Sequence, residues 1–324
     1  MARAAHCLAA WQNYSYFDRA QVVRAVAARM RGIRDQLANN RTHDIGALRA
    51  EAQADVDLAA DSLEQCAMLA IHELKPKAIQ HAPYHVLKPI PLGVILRIDR
   101  DPMSYTDLAR FVGPNLMAGN AVLVMSGLRM LHAPRAFSAL FDQLGGSKGL
   151  CSAMSYDLDL ALHLMDDARL RGIEVMRRTG QVSAVVEHAR RLHKHVVQDV
   201  SGNHVVLVLD DMPLADVLDN VLLRGPRTSR LTSVSARRVI VVGHERAREL
   251  TERLRARLAP LAAGDPSDPS TSLGPMPSQR AIDIFLHQMQ LSRIGGARLA
   301  LGGAQMLSAG TLRPTDNPDR PDDQ

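Results

Sequence analysis

Apolar residues fall in two alternating textures along the chain. Val26, Met30, Ile33 and Leu37 recur at helical spacing and predict one apolar face of a helix. A second helical stretch is predicted over roughly Ala50 to His72. Residues 84–98 (YHVLKPIPLGVILRI) then gather β-branched side chains around Pro89, Pro91 and Gly93, which predicts two strands joined by a kink or turn. Ala121–Val124 follows a Gly-Asn turn and reads as a strand, as does Gly172–Val175. Residues 204–209 (HVVLVL) and 239–242 (VIVV) are nearly all apolar, the texture of strands buried on both faces. Leu250, Leu254 and Leu258 return to helical spacing, and so do Ile282, Phe285, Leu286 and Met289. Strands alternating with helices predict an α/β protein with a mostly parallel sheet. The closing TLRPTDNPDRPDDQ is polar and proline-rich, and is expected to be disordered.

Composition narrows the class without naming a function. The 324 residues are 46% apolar and 23% charged, ordinary for a soluble globular protein of two domains or one large one. A net charge of +5, from 39 basic and 34 acidic residues, does not imply a nucleic-acid partner. The most basic run, His188–His195 (HARRLHKH), lacks interleaved aromatics and reads as a solvated helix face. Cys7, Cys66 and Cys151 are scattered, so neither a disulfide framework nor a zinc site is indicated. No signal-peptide core and no apolar run of about 18 residues is present. A cytoplasmic protein with no membrane and no nucleic-acid partner is expected.

Several segments then match one family in order. Residues 91–96 (PLGVIL) and 108–120 (LARFVGPNLMAGN) resemble the aldehyde dehydrogenase superfamily, most of all its succinate-semialdehyde dehydrogenase branch. Residues 42–56 (THDIGALRAEAQADV), 234–242 (VSARRVIVV), 264–276 (GDPSDPSTSLGPM) and 295–303 (GGARLALGG) match in register. Several motifs in the right order are specific where one alone is not. The resemblance implies a Rossmann-like nucleotide-binding α/β domain over 1–200 and an incomplete catalytic α/β domain over 201–308, with a disordered tail at 309–324. The family's later Glu-Glu-x-Phe-Gly-Pro motif does not occur, so a truncated, degenerate member is expected. The cofactor implied is NAD or NADP.

The family reaction needs a thiolate nucleophile, an oxyanion donor, a hydride acceptor and a carboxylate that activates water. Counting back from Ala236-Arg237-Arg238, the cysteine position holds Ser233, with Arg230 and Leu231 at the family's Gly and Gln and Ser235 at a second, often Cys, position. An alkyl hydroxyl gives no useful anion near neutral pH unless a base stands beside it. Ser233 and Ser235 therefore read as polar loop residues, against the alternative of a serine nucleophile. The family's Trp-Asn pair, whose asparagine is the oxyanion donor, is here Asp101-Pro102, and proline has no donor. The Glu-Leu-Gly-Gly stretch is Asp199-Val200-Ser201-Gly202, 34 positions before Ser233. Asp199 stands as a shortened general base or as an ordinary capping residue, and both readings stay open. The lysine that meets the adenosine ribose is Met125. The Thr-Gly-Ser turn near the pyrophosphate is Met176-Arg177-Arg178, whose bulk should block close backbone approach.

These substitutions predict a family fold without its oxidation, a pseudoenzyme or remnant that associates with itself or with a related subunit. The competing readings are residual NAD(P)-dependent oxidation of a semialdehyde, a Ser233-based esterase, and an unstable chain without a role.

Overall fold

The computed structural model describes residues 1–79, 82–99, 103–127, 130–144, 148–176, 180–199, 204–223, 238–276 and 279–303. Packing divides the chain into two units: Met1–Asp44 with Ala52–Ser201, and Ile45–Glu51 with Gly202–Gln324. Asp101, Pro102, Arg177, Arg178, Val200, Ser233, Ser235 and the tail 309–324 lie outside the described residues.

The first unit opens with helices α1 (Ala2–Gln12), α2 (Tyr16–Gly32), α3 (Arg34–Ile45) and α4 (Arg49–Glu73). Ser15 starts α2 because its hydroxyl accepts the Asp18 N–H while the Asp18 carboxylate accepts the Ser15 N–H, a reciprocal cap. The face predicted over Val26 to Leu37 is divided between two helices. Ile33 leaves helical geometry at φ −122°, so Val26 and Met30 belong to α2 and Leu37 to α3. Side-chain spacing cannot see such a one-residue break, because the apolar stripe continues across it. The two strands predicted in 84–98 also part company. β1 (Lys77–Ile79) and β2 (Ala82–Leu87) form an antiparallel pair, while β3 (Val94–Asp99) enters a separate sheet.

The rest of this unit alternates α5 (Tyr105–Met117), β4 (Ala121–Ser126), α6 (His132–Leu144), β5 (Cys151–Ser155), α7 (Leu158–Asp166), β6 (Leu170–Met176), α8 (Gly180–Arg191) and β7 (His195–Asp199). All five strands from β3 onward are parallel, in the order β5-β4-β3-β6-β7. The chain enters at the central strand, winds outward through β4 and β5, then returns to the other side of β3. Alternate residues serve opposite layers. Val94, Leu96, Ile98, Leu123, Met125, Ile173 and Val175 join one apolar cluster with Met165 and Val185 of α7 and α8. Ile95, Val122, Val124 and Cys151 join another with Met30, Leu63, Phe111 and Phe137 from α2, α4, α5 and α6.

The basic run His188–His195 is not a single helix face. Only its first residues belong to α8, and His195 begins β7. Lys194 turns inward, donating to the Asp167 and Leu170 carbonyls, and burial lowers its ammonium pKa. Ala189 is buried as well.

One turn fixes where β3 and β4 begin. Asn120 Oδ1 accepts the N–H groups of Leu92 and Gly93 at 2.8 and 3.1 Å, and its Nδ2 donates to Asn115 Oδ1 at 3.2 Å. Gly119 sits at φ +86°, and a Cβ there would lie 2.8 Å from both Arg19 Nη1 and Pro91 Cγ.

The second unit holds β8 (Val205–Val208), α9 (Leu214–Leu223), β9 (Arg238–Val241), α10 (His244–Leu258) and α11 (Gln279–Ile294). β8 and β9 pair in parallel, and Val208, Leu214, Val217, Leu218 and Leu250 form its apolar centre. The expectation that these strands are buried on both faces is corrected: Val205, Leu207 and Ile240 are about half exposed. Among the described residues α9 and α10 supply an apolar layer to one face, and alternate residues of the pair are left half exposed. Residues 264–276 form a clasp with the Ile45–Glu51 segment. Arg49 N–H donates to the Pro266 carbonyl, and a Cβ on Gly274 would meet the Gly46 carbonyl oxygen at 2.2 Å.

Asn120→Ala removes the acceptor for two backbone donors. It is expected to cost about 1–3 kcal/mol and to lower the melting temperature by roughly 3–10 °C in a circular-dichroism melt. An unchanged melt would remove Asn120 as the organiser of this turn.

Candidate functional site

In an open parallel sheet a ligand crevice forms outside the carboxyl ends of the strands, where the winding direction reverses. Here that point lies between β3 and β6. The strand ends around it are Asp99 of β3, Ser126 of β4 and Met176 of β6, with Asp199 closing β7 at the sheet edge.

Charges crowd this point. Arg97 stands opposite Glu174 in the β3–β6 register. Its Nη1 donates to Glu174 Oε1 at 3.1 Å and to the Asp107 carbonyl at 3.2 Å, and its Nη2 lies 3.6 Å from Asp99 Oδ2. The guanidinium carbon sits 5.6 Å from the Phe111 ring centroid. The Arg97 side chain is only 3% exposed. Its Nε and Nη2 find no hydrogen-bond acceptor among the described residues. A buried guanidinium of this kind is held by paired carboxylates and by an aromatic face. Sequence reading did not single out Arg97, Asp99 or Glu174. The signal was present, since VILRID places two charges on alternate positions of a strand otherwise apolar enough for the core.

Met125 is fully buried in β4, paired with Ile98 on one side and Met154 on the other, and packs in the apolar layer that β3 and β6 share. A thioether there donates nothing to a ribose hydroxyl. Ser126 is also buried, and its hydroxyl donates to the Met130 carbonyl at 3.3 Å. Asp199 is the last residue of β7, opposite Met176, and only its backbone belongs to the description. Ser233, Pro102, Asp101, Val200, Arg177 and Arg178 fall outside it, so the structure neither gathers nor separates those positions. Of the positions the resemblance assigns to the cofactor, Met125 is the one whose side chain is described. At this position, which the resemblance assigns to a ribose donor, stands an apolar core residue that offers no donor.

All three cysteines of the chain are described and free. Burial raises each thiol pKa. Cys7 is buried and donates to the Ala4 carbonyl at 3.3 Å. Cys66 is pushed up to about 11, and Cys151, wholly enclosed, is pushed higher still. Near neutral pH they stay protonated, and a thiol is a poor nucleophile.

A central strand entered first and parallel crossovers that reverse beside it define a doubly wound, Rossmann-like fold. The chain belongs to the aldehyde dehydrogenase family, whose profile, described as "Aldehyde dehydrogenase family", matches residues 1–315. It is 29% identical over 97% of its length to a succinate-semialdehyde dehydrogenase [NADP(+)] of Deinococcus radiodurans, covering 66% of that protein. It is 27% identical over 94% of its length to the succinate semialdehyde dehydrogenase [NAD(P)+] Sad of Escherichia coli, again covering 66%. The chain thus spans about two thirds of the length of these relatives. Its fold matches a crystal structure of succinic semialdehyde dehydrogenase from Streptococcus pyogenes in complex with NADP+, with a TM-score of 0.88 and 24% identity, covering 96% of this chain and 68% of that one.

Met125→Lys puts the family-like cation into the apolar layer. It is expected to destabilise the fold by about 2–4 kcal/mol in urea unfolding, with Met125→Leu below about 1.5 kcal/mol. A Met125→Lys chain as stable as the parent would show that this strand end opens to solvent.

Proposed function

We propose that this chain keeps the aldehyde dehydrogenase fold without the family's oxidation, acting as a catalytically silent member. The observation that carries the reading is the state of the thiols. The sequence contains three cysteines, each with its pKa raised by burial, and none stands at the family's nucleophile position, which holds Ser233. A hydroxyl needs an adjacent base to attack a carbonyl. The carboxylate that the resemblance places at Asp199 has its family role in activating water. Pro102 at the oxyanion position offers no donor, and an enzyme that loses one such donor loses about a hundred- to a thousandfold in turnover. The buried Met125 supports weak or absent NAD and NADP binding.

The names of the relatives set the substrate for the test. Purified chain with succinate semialdehyde and NAD+ or NADP+ is expected to form no reduced nucleotide above a Ser233→Ala control. Turnover clearly above that control overturns the proposal. Ser233→Cys alone is expected to stay silent, because Pro102 and Met125 remain. Calorimetry with either nucleotide is expected to show no micromolar binding.

The thiols give an independent check. Cys66, with its pKa pushed up to about 11, should react with iodoacetamide roughly two orders of magnitude more slowly at pH 7.5 than an ordinary cysteine. Cys7 and Cys151 should react only after denaturation. Rapid single-site labelling of the native chain would mean that one cysteine is an activated nucleophile.

The proposal leaves association, with a second copy or a related subunit, as the route by which the chain acts. The half-exposed Val205, Leu207 and Ile240 support it. The free thiols support a reducing, cytoplasmic setting. Among the described residues no helix is long and apolar enough to cross a membrane.

A further inference from the structure

Away from the crevice, α3 ends beside the start of α6. The last turn of α3 carries His43 and Asp44, and α6 begins at His132. One donor atom from each of these three side chains lies within 4.8 Å of the other two. We propose that His43, Asp44 and His132 form a binding site for a divalent transition metal of the zinc type.

The carboxylate is already organised as a ligand. The Asp44 side chain is 1% exposed, Oδ2 accepts the Ala133 N–H at 3.1 Å, and Oδ1 lies 2.5 Å from His132 Nδ1. A backbone donor on one oxygen orients the other, as outer-shell partners do for metal-bound carboxylates. Both imidazoles lie at the surface, where an ion can reach them. His43 is exposed, the His132 side chain is 60% exposed, and the rings meet edge to face with centroids 5.2 Å apart. Zinc bonds of about 2.0–2.2 Å place ligand atoms roughly 3.3 Å apart around a tetrahedral ion, so small side-chain rotations close the site. Two neutral imidazoles and one carboxylate suit zinc, nickel, cobalt or copper over magnesium or calcium, which prefer all-oxygen shells. Three protein ligands leave a fourth position for water.

Capping alone explains part of this arrangement. Asp44 accepts from the first turn of α6 with or without an ion. It does not explain two histidine rings converging on the same buried carboxylate from two helices.

The test uses the full chain, stripped with EDTA and titrated with zinc chloride. One equivalent of zinc is expected to bind and to shift the ring-proton resonances of two of the thirteen histidines. His43→Gln and His132→Gln should each remove one shifted signal and weaken binding roughly tenfold or more. Asp44→Asn keeps an oxygen for the Ala133 N–H and should weaken zinc while leaving the melt in EDTA unchanged. His188→Gln, which alters the separate His188–Asp166 pair, should bind as the parent does. The proposal fails if the parent chain shows no saturable zinc binding, if the shifted resonances belong to other histidines, or if the His43→Gln/His132→Gln double variant retains full affinity. The two wild-type outcomes need no variant to fold.

Discussion

The first unit depends on burying β3 on both faces. Its six residues pair in parallel with β4 and β6 and are all enclosed, so every side chain must find a layer on one side or the other. That requirement dictates the crossovers. α7 and α8 serve the layer that receives Val94, Leu96 and Ile98, while α2, α4, α5 and α6 serve the layer that receives Ile95. It also makes the β3 entry the most constrained turn. Leu92 and Gly93 must pass from an exposed approach into the sheet, and the Asn120 amide accepts the backbone donors that would otherwise be stranded there.

Seen this way, the residues that match the family in this chain divide by task. Asn115, Gly119 and Asn120 form the β3–β4 clamp. Gly46 and Gly274 approach so closely that a side chain on Gly274 would strike the Gly46 carbonyl. Each holds backbone in place, and each substitution there would cost fold stability whatever chemistry the protein performs. The resemblance assigns Ser233, Pro102 and Met125 to positions of another kind, those of groups that touch substrate or cofactor. Of these, Met125 is described, and its thioether completes the apolar layer.

The α/β class, the parallel sheet and α4 were legible because apolar period and turn residues are local properties. Other features were not. The break at Ile33 keeps the apolar stripe in phase, so spacing alone cannot place it. The nearly apolar text of 204–209 and 239–242 does not say how many layers cover a strand, and in the second unit one face of the pair remains open. The basic run at 188–195 looked uniform, yet Lys194 uses its ammonium to bind carbonyls of its own unit. Of the candidate site, family register supplied the positions of Met125 and Asp199, but it could not supply the Arg97 cluster or the meeting of His43 with His132. Those arise from pairings between residues 77 and 88–89 positions apart, which only the tertiary fold brings together.

The Arg97 cluster is the charged exception in this buried sheet. A buried ion pair seldom adds stability over an apolar pair of equal volume, because each charge must first be stripped of water. Here the guanidinium has Glu174 at 3.1 Å, Asp99 at 3.6 Å and the face of Phe111, yet two of its nitrogens lack a hydrogen-bond acceptor among the described residues. Such an arrangement is a poor source of stability and a strong source of fixed charge. Glu174 from β6 and Asp99 from β3 fix the guanidinium between the two strands at which the winding reverses. The cluster ties β3 to β6 by charge where the rest of the sheet is tied by apolar contact, so a change at one member would be felt by the others.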